Sequence, residues 1–176
     1  MNNETAKDRH RILVSAGSKH GSTTEIAERI AAVLTERGHD VDIMPPHSVT
    51  DLSGYEAVVL GSAVYAGHWV ASAKDLAHRI ADLSPHPETW IFSSGPLGEP
   101  PKPEEDPVDV APILEVTSAR EHRVFSGKID KTKLSFGERA IVVAVRAPEG
   151  DFRDWNEIES WATEIADRLV KEVSER

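Results

Sequence analysis

Residues 15–30 read SAGSKHGSTTEIAERI, and the organisation of the chain can be worked outward from them. The apolar run Arg11 to Val14 comes just before and gives way to small residues, which suits a buried parallel strand. From Thr23 onward, Ile26, Ala27, Ile30, Val33 and Leu34 recur at helical spacing, and Gly38 stands where a helix usually terminates. Between strand and helix lies a loop of glycine, serine and threonine. Its backbone N–H groups, its hydroxyls and the positive end of the helix dipole can converge on a phosphate. Gly17 and Gly21 allow the chain to curl around it. Lys19 supplies the only full positive charge between Ser18 and Thr23, so a phosphate monoester held by neutral donors fits better than a triphosphate with magnesium.

The same order repeats downstream. HDVDIMPP alternates Val41 and Ile43 with Asp40 and Asp42 before two prolines, as a strand near a sheet edge does. Ala57 to Leu60 is a central apolar run, followed by a small-residue loop and a helical stretch from Ser72 to Leu83. Trp90 to Phe92 forms the next strand, with the loop Ser93 to Gly98 after it. The acidic, proline-rich stretch Glu99 to Asp109 reads as a solvated loop, VAPILEVTSA as a short amphipathic helix, and His122 to Gly127 as a fifth strand. Ala140 to Val145 is β-branched and strand-like by propensity. It follows Ser135 and Glu138, whose spacing makes a capping box, and this favours a helix from Phe136 to about Ala147. In the last helix Ile158, Trp161, Ala162, Ile165, Ala166 and Leu169 share one face. Strands alternating with helices imply a parallel sheet covered on both sides.

Composition narrows the function. The 176 residues, 39% of them apolar, suit one domain over residues 1–176, with residues 1–10 as a flexible polar tail. Thirty acidic against twenty basic residues give a formal charge of −10, which disfavours nucleic acid as a partner. There is no cysteine, so any redox chemistry must use a bound cofactor. No apolar run approaches the length of a membrane span and the N-terminus lacks a signal-like core, so a cytoplasmic protein is expected, at most peripheral to a membrane.

Rival motifs fail. GSKHGST places its lysine before the second glycine, unlike a P-loop, and G-x-G-x-x-G is absent. A phosphorylated receiver domain would need acidic residues after the first strand and an aspartate ending the third, where this chain has Val14 to Gly17 and Gly61 to Ser62. There is no G-x-S-x-G elbow and no H-E-x-x-H, and the eight histidines are scattered, so no metal site is expected.

SKHGSTTEIAE (Ser18 to Glu28), VVLGSAVYAGHW (Val58 to Trp69), SSGPLG and the ending DWNEIESWATEIA together resemble the flavodoxin-like FMN-binding proteins. Among them the chain is most similar to the flavodoxin-type, quinone-dependent protoporphyrinogen oxidases and related flavodoxin-domain proteins. The resemblance implies a three-layer α/β sandwich on a five-stranded parallel sheet of order 2-1-3-4-5, with noncovalent FMN. Carried over by residue, Ser18, Lys19, His20, Gly21, Ser22 and Thr23 would surround the phosphate. Ala63, Val64, Tyr65 and Gly67 would line one side of the isoalloxazine, and Ser94, Gly95, Pro96 and Leu97 the other. Many flavodoxins have Thr-x-Thr-Gly-x-Thr in the phosphate loop where this chain has Ser-Lys-His-Gly-Ser-Thr, and PLG lacks the aromatic that often stacks on the outer flavin face.

A glycine- and serine-rich loop after a strand is more often a plain turn, and the ligand reading rests on three such loops sharing one sheet edge. His68 could deliver a proton near the flavin, but a lone loop histidine is usually solvated; Trp155 and Trp161 read as core anchors. No catalytic residue is assigned. Two functions remain: an FMN oxidoreductase taking electrons from a small-molecule donor such as a porphyrinogen and passing them to a quinone, or an electron carrier between redox proteins. The resemblance gives the oxidases an extra segment before the last helix, and Lys131 to Asp154 is long enough to be its counterpart.

Overall fold

β1, Arg11–Gly17, is buried at every residue after Arg11. A strand enclosed on both faces has no need to alternate with polar residues, and its side chains divide between two cores. Ile12, Val14 and Ala16 enter one cluster and Leu13 the other. This computed structural model describes residues 9–95, 106–144 and 146–174. The expected tail over residues 1–10 therefore lies outside them, apart from Arg9 and His10.

The remaining elements are α1 (Ser22–Glu36), β2 (Asp40–Ile43), β3 (Ala57–Tyr65), β4 (His68–Trp69), α2 (Ala71–Ala81), β5 (Glu88–Ser94), α3 (Val110–Thr117), β6 (His122–Phe125), β7 (Lys128–Ile129), α4 (Phe136–Ala144), β8 (Gly150–Asp151) and α5 (Trp155–Ser174). The main sheet runs β2-β1-β3-β5-β6, all parallel. This is the expected order 2-1-3-4-5 once the two-residue β4 is counted. The helices α1 and α5 pack together on one face, α2 and α3 on the other. β7 and β8 form a separate antiparallel pair, Lys128 opposite Asp151 and Ile129 opposite Gly150.

α1 buries the five apolar residues expected of it. It stops in a Schellman arrangement, with Gly38 at φ +94°, its N–H donating to the Thr35 carbonyl and the His39 N–H to that of Leu34. α5 buries all six residues of its apolar face. Trp161 sits edge-on to Phe92 and Phe125 at 6.0 and 5.5 Å between centroids, the core anchor it was read to be.

Three strands run further than the residue types suggested. Ser15, Ala16 and Gly17 continue β1 opposite Leu60, Gly61 and Ser62, and Ser93 and Ser94 continue β5 opposite Ser62 and Ala63. Small residues here serve packing between strands and helices. A Cβ on Gly61 would overlap the Phe92 ring. β3 ends in a tight hairpin with β4, pairing Val64 with Trp69 and Tyr65 with His68. Ala66 and Gly67 turn it at φ +49° and +81°, the positive pair a two-residue hairpin demands. Ala63, Val64 and Tyr65 therefore sit on a strand end and not in a loop. The β-branched run after Ser135 is a helix. Ser135 N–H donates to Glu138 Oε2 at 2.8 Å and Glu138 N–H to Ser135 Oγ at 3.3 Å, the reciprocal capping bonds its spacing foretold.

Candidate functional site

Parallel pairing brings the carboxyl ends of β1, β3 and β5 to one edge. After β1 the chain turns through Ser18 to Gly21, and Ser18 Oγ accepts a 3.0 Å hydrogen bond from Gly21 N–H. Gly21 caps α1 in the left-handed region, φ +88°. Gly21 has no side chain to cap the helix, and among the described residues its first-turn N–H groups lie at the sheet edge with the positive end of the dipole. Thr23 is 0% exposed, and its Oγ1 has no hydrogen-bond partner among the described residues. A buried hydroxyl without a partner is costly, and an acceptor placed at this turn would meet it.

A cavity of about 360 Å³ opens beside this turn. Lys19, His20, Ser22 and Thr23 border it from the first loop, Ala63, Val64 and Tyr65 from β3, and Ser94 and Gly95 from β5. Ser18 and Gly21 do not border the cavity; the bond between them closes the turn. Gly67 does not line the cavity; it forms the hairpin turn beyond Tyr65. Pro96 and Leu97 lie outside the described residues.

Tyr65 is the hub of these walls. Its hydroxyl accepts from Lys19 N–H at 3.3 Å, the Lys19 ammonium stands 4.4 Å from its ring centroid, and the His20 ring meets it edge-on at 6.2 Å. Burial pushes the phenol above its ordinary pKa, so it stays a neutral aromatic surface. Gly95, at φ +84°, donates its N–H to the Phe125 carbonyl at 3.0 Å. Gly127 lies so close that a Cβ on it would stand 3.3 Å from Gly95 N.

The fourth wall comes from residues 127–147, including Ile129, Leu134, Ile141, Val142 and Ala147. Within the β-branched run Ala140 to Val145, Val142 borders the cavity and Val145 lies outside the described residues. α4 joins the first loop through Glu138, whose Oε1 is 3.2 Å from His20 Nε2. The bond from Ser135 N–H holds this carboxyl below its usual pKa. Apart from Val142, the apolar residues of α4 are exposed: Phe136 is 90%, Val143 68% and Ile141, although it borders the cavity, 61% exposed. The lysines Lys128 and Lys133 border the cavity.

His68 stands away from the cavity, paired with Asp109 at 3.2 Å, so its suggested proton-delivery role has no geometry behind it. Trp69 is buried, its Nε1 donating to Ser93 Oγ at 2.9 Å, and belongs to the core. Trp155 is half-buried against the core. Among the described residues no group of three or more His, Cys, Asp or Glu is placed to hold a metal, and no helix is long and apolar enough to cross a membrane.

The sequence profile described as a flavodoxin domain matches residues 13–156. The chain belongs to the flavodoxin-domain family. No curated protein matches at a significant level. Among solved structures, Flavodoxin 1 from Bacillus cereus superposes on this flavodoxin domain with a TM-score of 0.58 at 13% identity, over 89% of this chain and 97% of its own. The rubredoxin oxygen:oxidoreductase from Desulfovibrio gigas gives 0.60 at 17% identity over 94% of this chain, and the Flv1 flavodiiron core from Synechocystis sp. PCC6803 gives 0.65 at 14% over 96%. The flavodoxin domain spans 38% of each of those two longer chains. These likenesses carry the fold.

Membership implies FMN as the cofactor. The residues present fit it. The open helix N-terminus and the partnerless Thr23 hydroxyl suit a phosphate, and the apolar cavity beside them has the size and lining of a small-ligand site. The neutral donors of this turn match the monoester expected from its composition.

Proposed function

We propose that this flavodoxin domain is an FMN-dependent oxidoreductase acting between a hydrophobic small-molecule donor and a quinone, as the protoporphyrinogen oxidases that it resembles do. The observation that carries this is the fourth wall: residues 127–147 turn Ile129, Leu134, Ile141 and Val142 toward the cavity that Tyr65 and the first loop enclose. Such a wall offers an apolar surface to a second molecule beside the flavin. When bound, FMN would supply a two-electron centre able to accept a hydride equivalent and to give up two electrons, with two protons, for reduction of a quinone to its hydroquinone.

The chain's own residues bind and orient. Ser18 to Thr23 hold the phosphate, Tyr65 offers its ring to the isoalloxazine, and Ser94 and Gly95 border its other side. Lys128 and Lys133 at the rim suit a donor bearing carboxylates, as a porphyrinogen does. The second reading, an electron carrier between redox proteins, is favoured by the acidic surface, with a formal charge of −10. Anaerobic stopped-flow of the FMN-loaded protein with protoporphyrinogen-type and nicotinamide donors, then with a soluble menaquinone or ubiquinone analogue, separates the two. Turnover with a quinone, slowed by Val142→Asn while FMN binding stays unchanged, is the expected result. No turnover with any donor, together with fast exchange with a redox protein, makes the carrier reading correct.

A further inference from the structure

The wall around the first turn of α1 carries two carboxylates, Glu25 and Glu138, an unfavourable setting for a doubly charged phosphate. Each is answered from the segment that closes the cavity or from the loop itself. Glu138 faces His20 and the N–H of Ser135. Glu25 faces Arg153, whose Nη1 lies 2.6 Å from its Oε2.

Arg153 lies two residues beyond β8, outside the cavity lining, and its side chain is 3% exposed. All three guanidinium nitrogens are engaged. Nε donates to Asp151 Oδ1 at 2.8 Å and Nη2 to Asp151 Oδ2 at 2.6 Å, a bidentate fork. Nη1 donates to Glu25 and also to the Ser22 carbonyl at 3.1 Å. The group stands 4.6 Å from the Trp155 ring centroid. A planar cation held on these sides cannot swing away, and a lysine cannot reproduce the fork. Behind the phosphate turn there is thus a fixed positive charge that touches both the carbonyl of Ser22 and the carboxylate of Glu25.

We propose that Arg153 is a positioning residue that makes this site selective for a phosphorylated flavin, by cancelling the charge of Glu25 and fixing the Ser22 turn. The inference rests on the FMN reading of the cavity. Arg153, Glu25 and Asp151 sum to −1; without the arginine they sum to −2, with the added negative charge beside the phosphate. The isoalloxazine and ribityl chain carry no charge and are indifferent to this. Arg153 therefore governs the ratio of FMN to riboflavin affinity more than flavin affinity as such.

The test is titration of the full chain with FMN and with riboflavin, followed by quenching of flavin fluorescence at low and at moderate ionic strength. Arg153→Gln is expected to lower FMN affinity about tenfold with riboflavin affinity nearly constant, a loss that shrinks with added salt. Glu25→Gln in the Arg153→Gln background restores the sum to −1 and is expected to recover most of the preference. Glu25→Gln alone, at a half-exposed surface position, is expected to raise the preference, and it decides the matter if the arginine variant does not fold. Equal losses for the two flavins, no recovery in the double variant, or an unchanged preference in Glu25→Gln overturns the proposal. Equal binding of FMN and riboflavin by the unaltered chain overturns the phosphate reading itself, a different outcome.

Discussion

Replacing Thr23 by valine should move stability and cofactor affinity in opposite directions. Valine keeps the shape and β-branching of threonine and has a similar helix propensity, so the change at this fully buried position is confined to one hydroxyl. Among the described residues Thr23 Oγ1 has no hydrogen-bond partner, and an unsatisfied buried polar group costs about 1–3 kcal/mol. Removing it should stabilise the flavin-free chain by on the order of 1 kcal/mol, about 2–4 °C in Tm for a domain of this size. With FMN the sign reverses. A hydrogen bond to a charged acceptor contributes roughly 1.5–3 kcal/mol, so FMN should bind about ten- to a hundredfold more weakly, while riboflavin, lacking the phosphate, is unaffected. Urea unfolding of the flavin-free protein and fluorescence titration with both flavins measure the two effects. A drop in flavin-free stability, or parallel losses for FMN and riboflavin, would refute the assignment of Thr23 to the phosphate.

Tyr65→Ala should weaken FMN binding by about 0.5–1.5 kcal/mol beyond lost area and shift the flavin absorbance; an unchanged spectrum and affinity would make Tyr65 rim packing only. Trp161→Ala removes the ring that meets Phe92 and Phe125 and should cost about 3–5 kcal/mol, read from the urea midpoint, with a cost below about 1 kcal/mol contradicting the packing. Gly61→Ala, whose new methyl would overlap the Phe92 ring, should cost about 1–3 kcal/mol by the same measurement. His122 has a side chain only 6% exposed, with Nε2 2.9 Å from Ser93 Oγ, and burial holds its pKa below the ordinary value against the pull of Asp106. The unfolded chain therefore takes up the proton first. This contribution is complete above about pH 6.5 and is lost as pH falls below it, by at most about 1.4 kcal/mol per pH unit. Urea midpoints between about pH 7.5 and 5.5 should fall less steeply in His122→Gln, and an equal slope would show that His122 does not carry the effect.

Much of the architecture was legible because it is locally written. The apolar faces of α1 and α5 matched residue for residue, and Gly38 stopped the first helix as its position implied. Ser135 and Glu138 correctly overruled the β-branching of the run after them. What escaped was non-local. Gly61, Ser62 and Ala63 look like loop residues until Phe92, on the neighbouring strand, is seen to occupy the space that a Gly61 side chain would need. The turn at Ala66 and Gly67 was hidden by the same small residues. In the site, the first loop and the ends of β3 and β5 could be placed from strand order alone. Gly127, Glu138 and Arg153 could not, since each reaches the phosphate turn or its neighbours across more than thirty residues of chain.

The β7 and β8 ladder brings Lys128 opposite Asp151, so the chain leaves the sandwich and returns to it at nearly the same point. Everything between the two strands is an excursion whose length is of little concern to the core, because loop-closure entropy grows only slowly with length. The wall facing the cavity can therefore be exchanged, shortened or extended without disturbing the parallel sheet, as long as the contact from Glu138 to His20 in the phosphate turn is kept. A scaffold built this way separates the evolution of what it reacts with from the evolution of what it holds. For an engineer, residues 130–149 are the place to graft a new acceptor pocket, with Glu138 retained against His20.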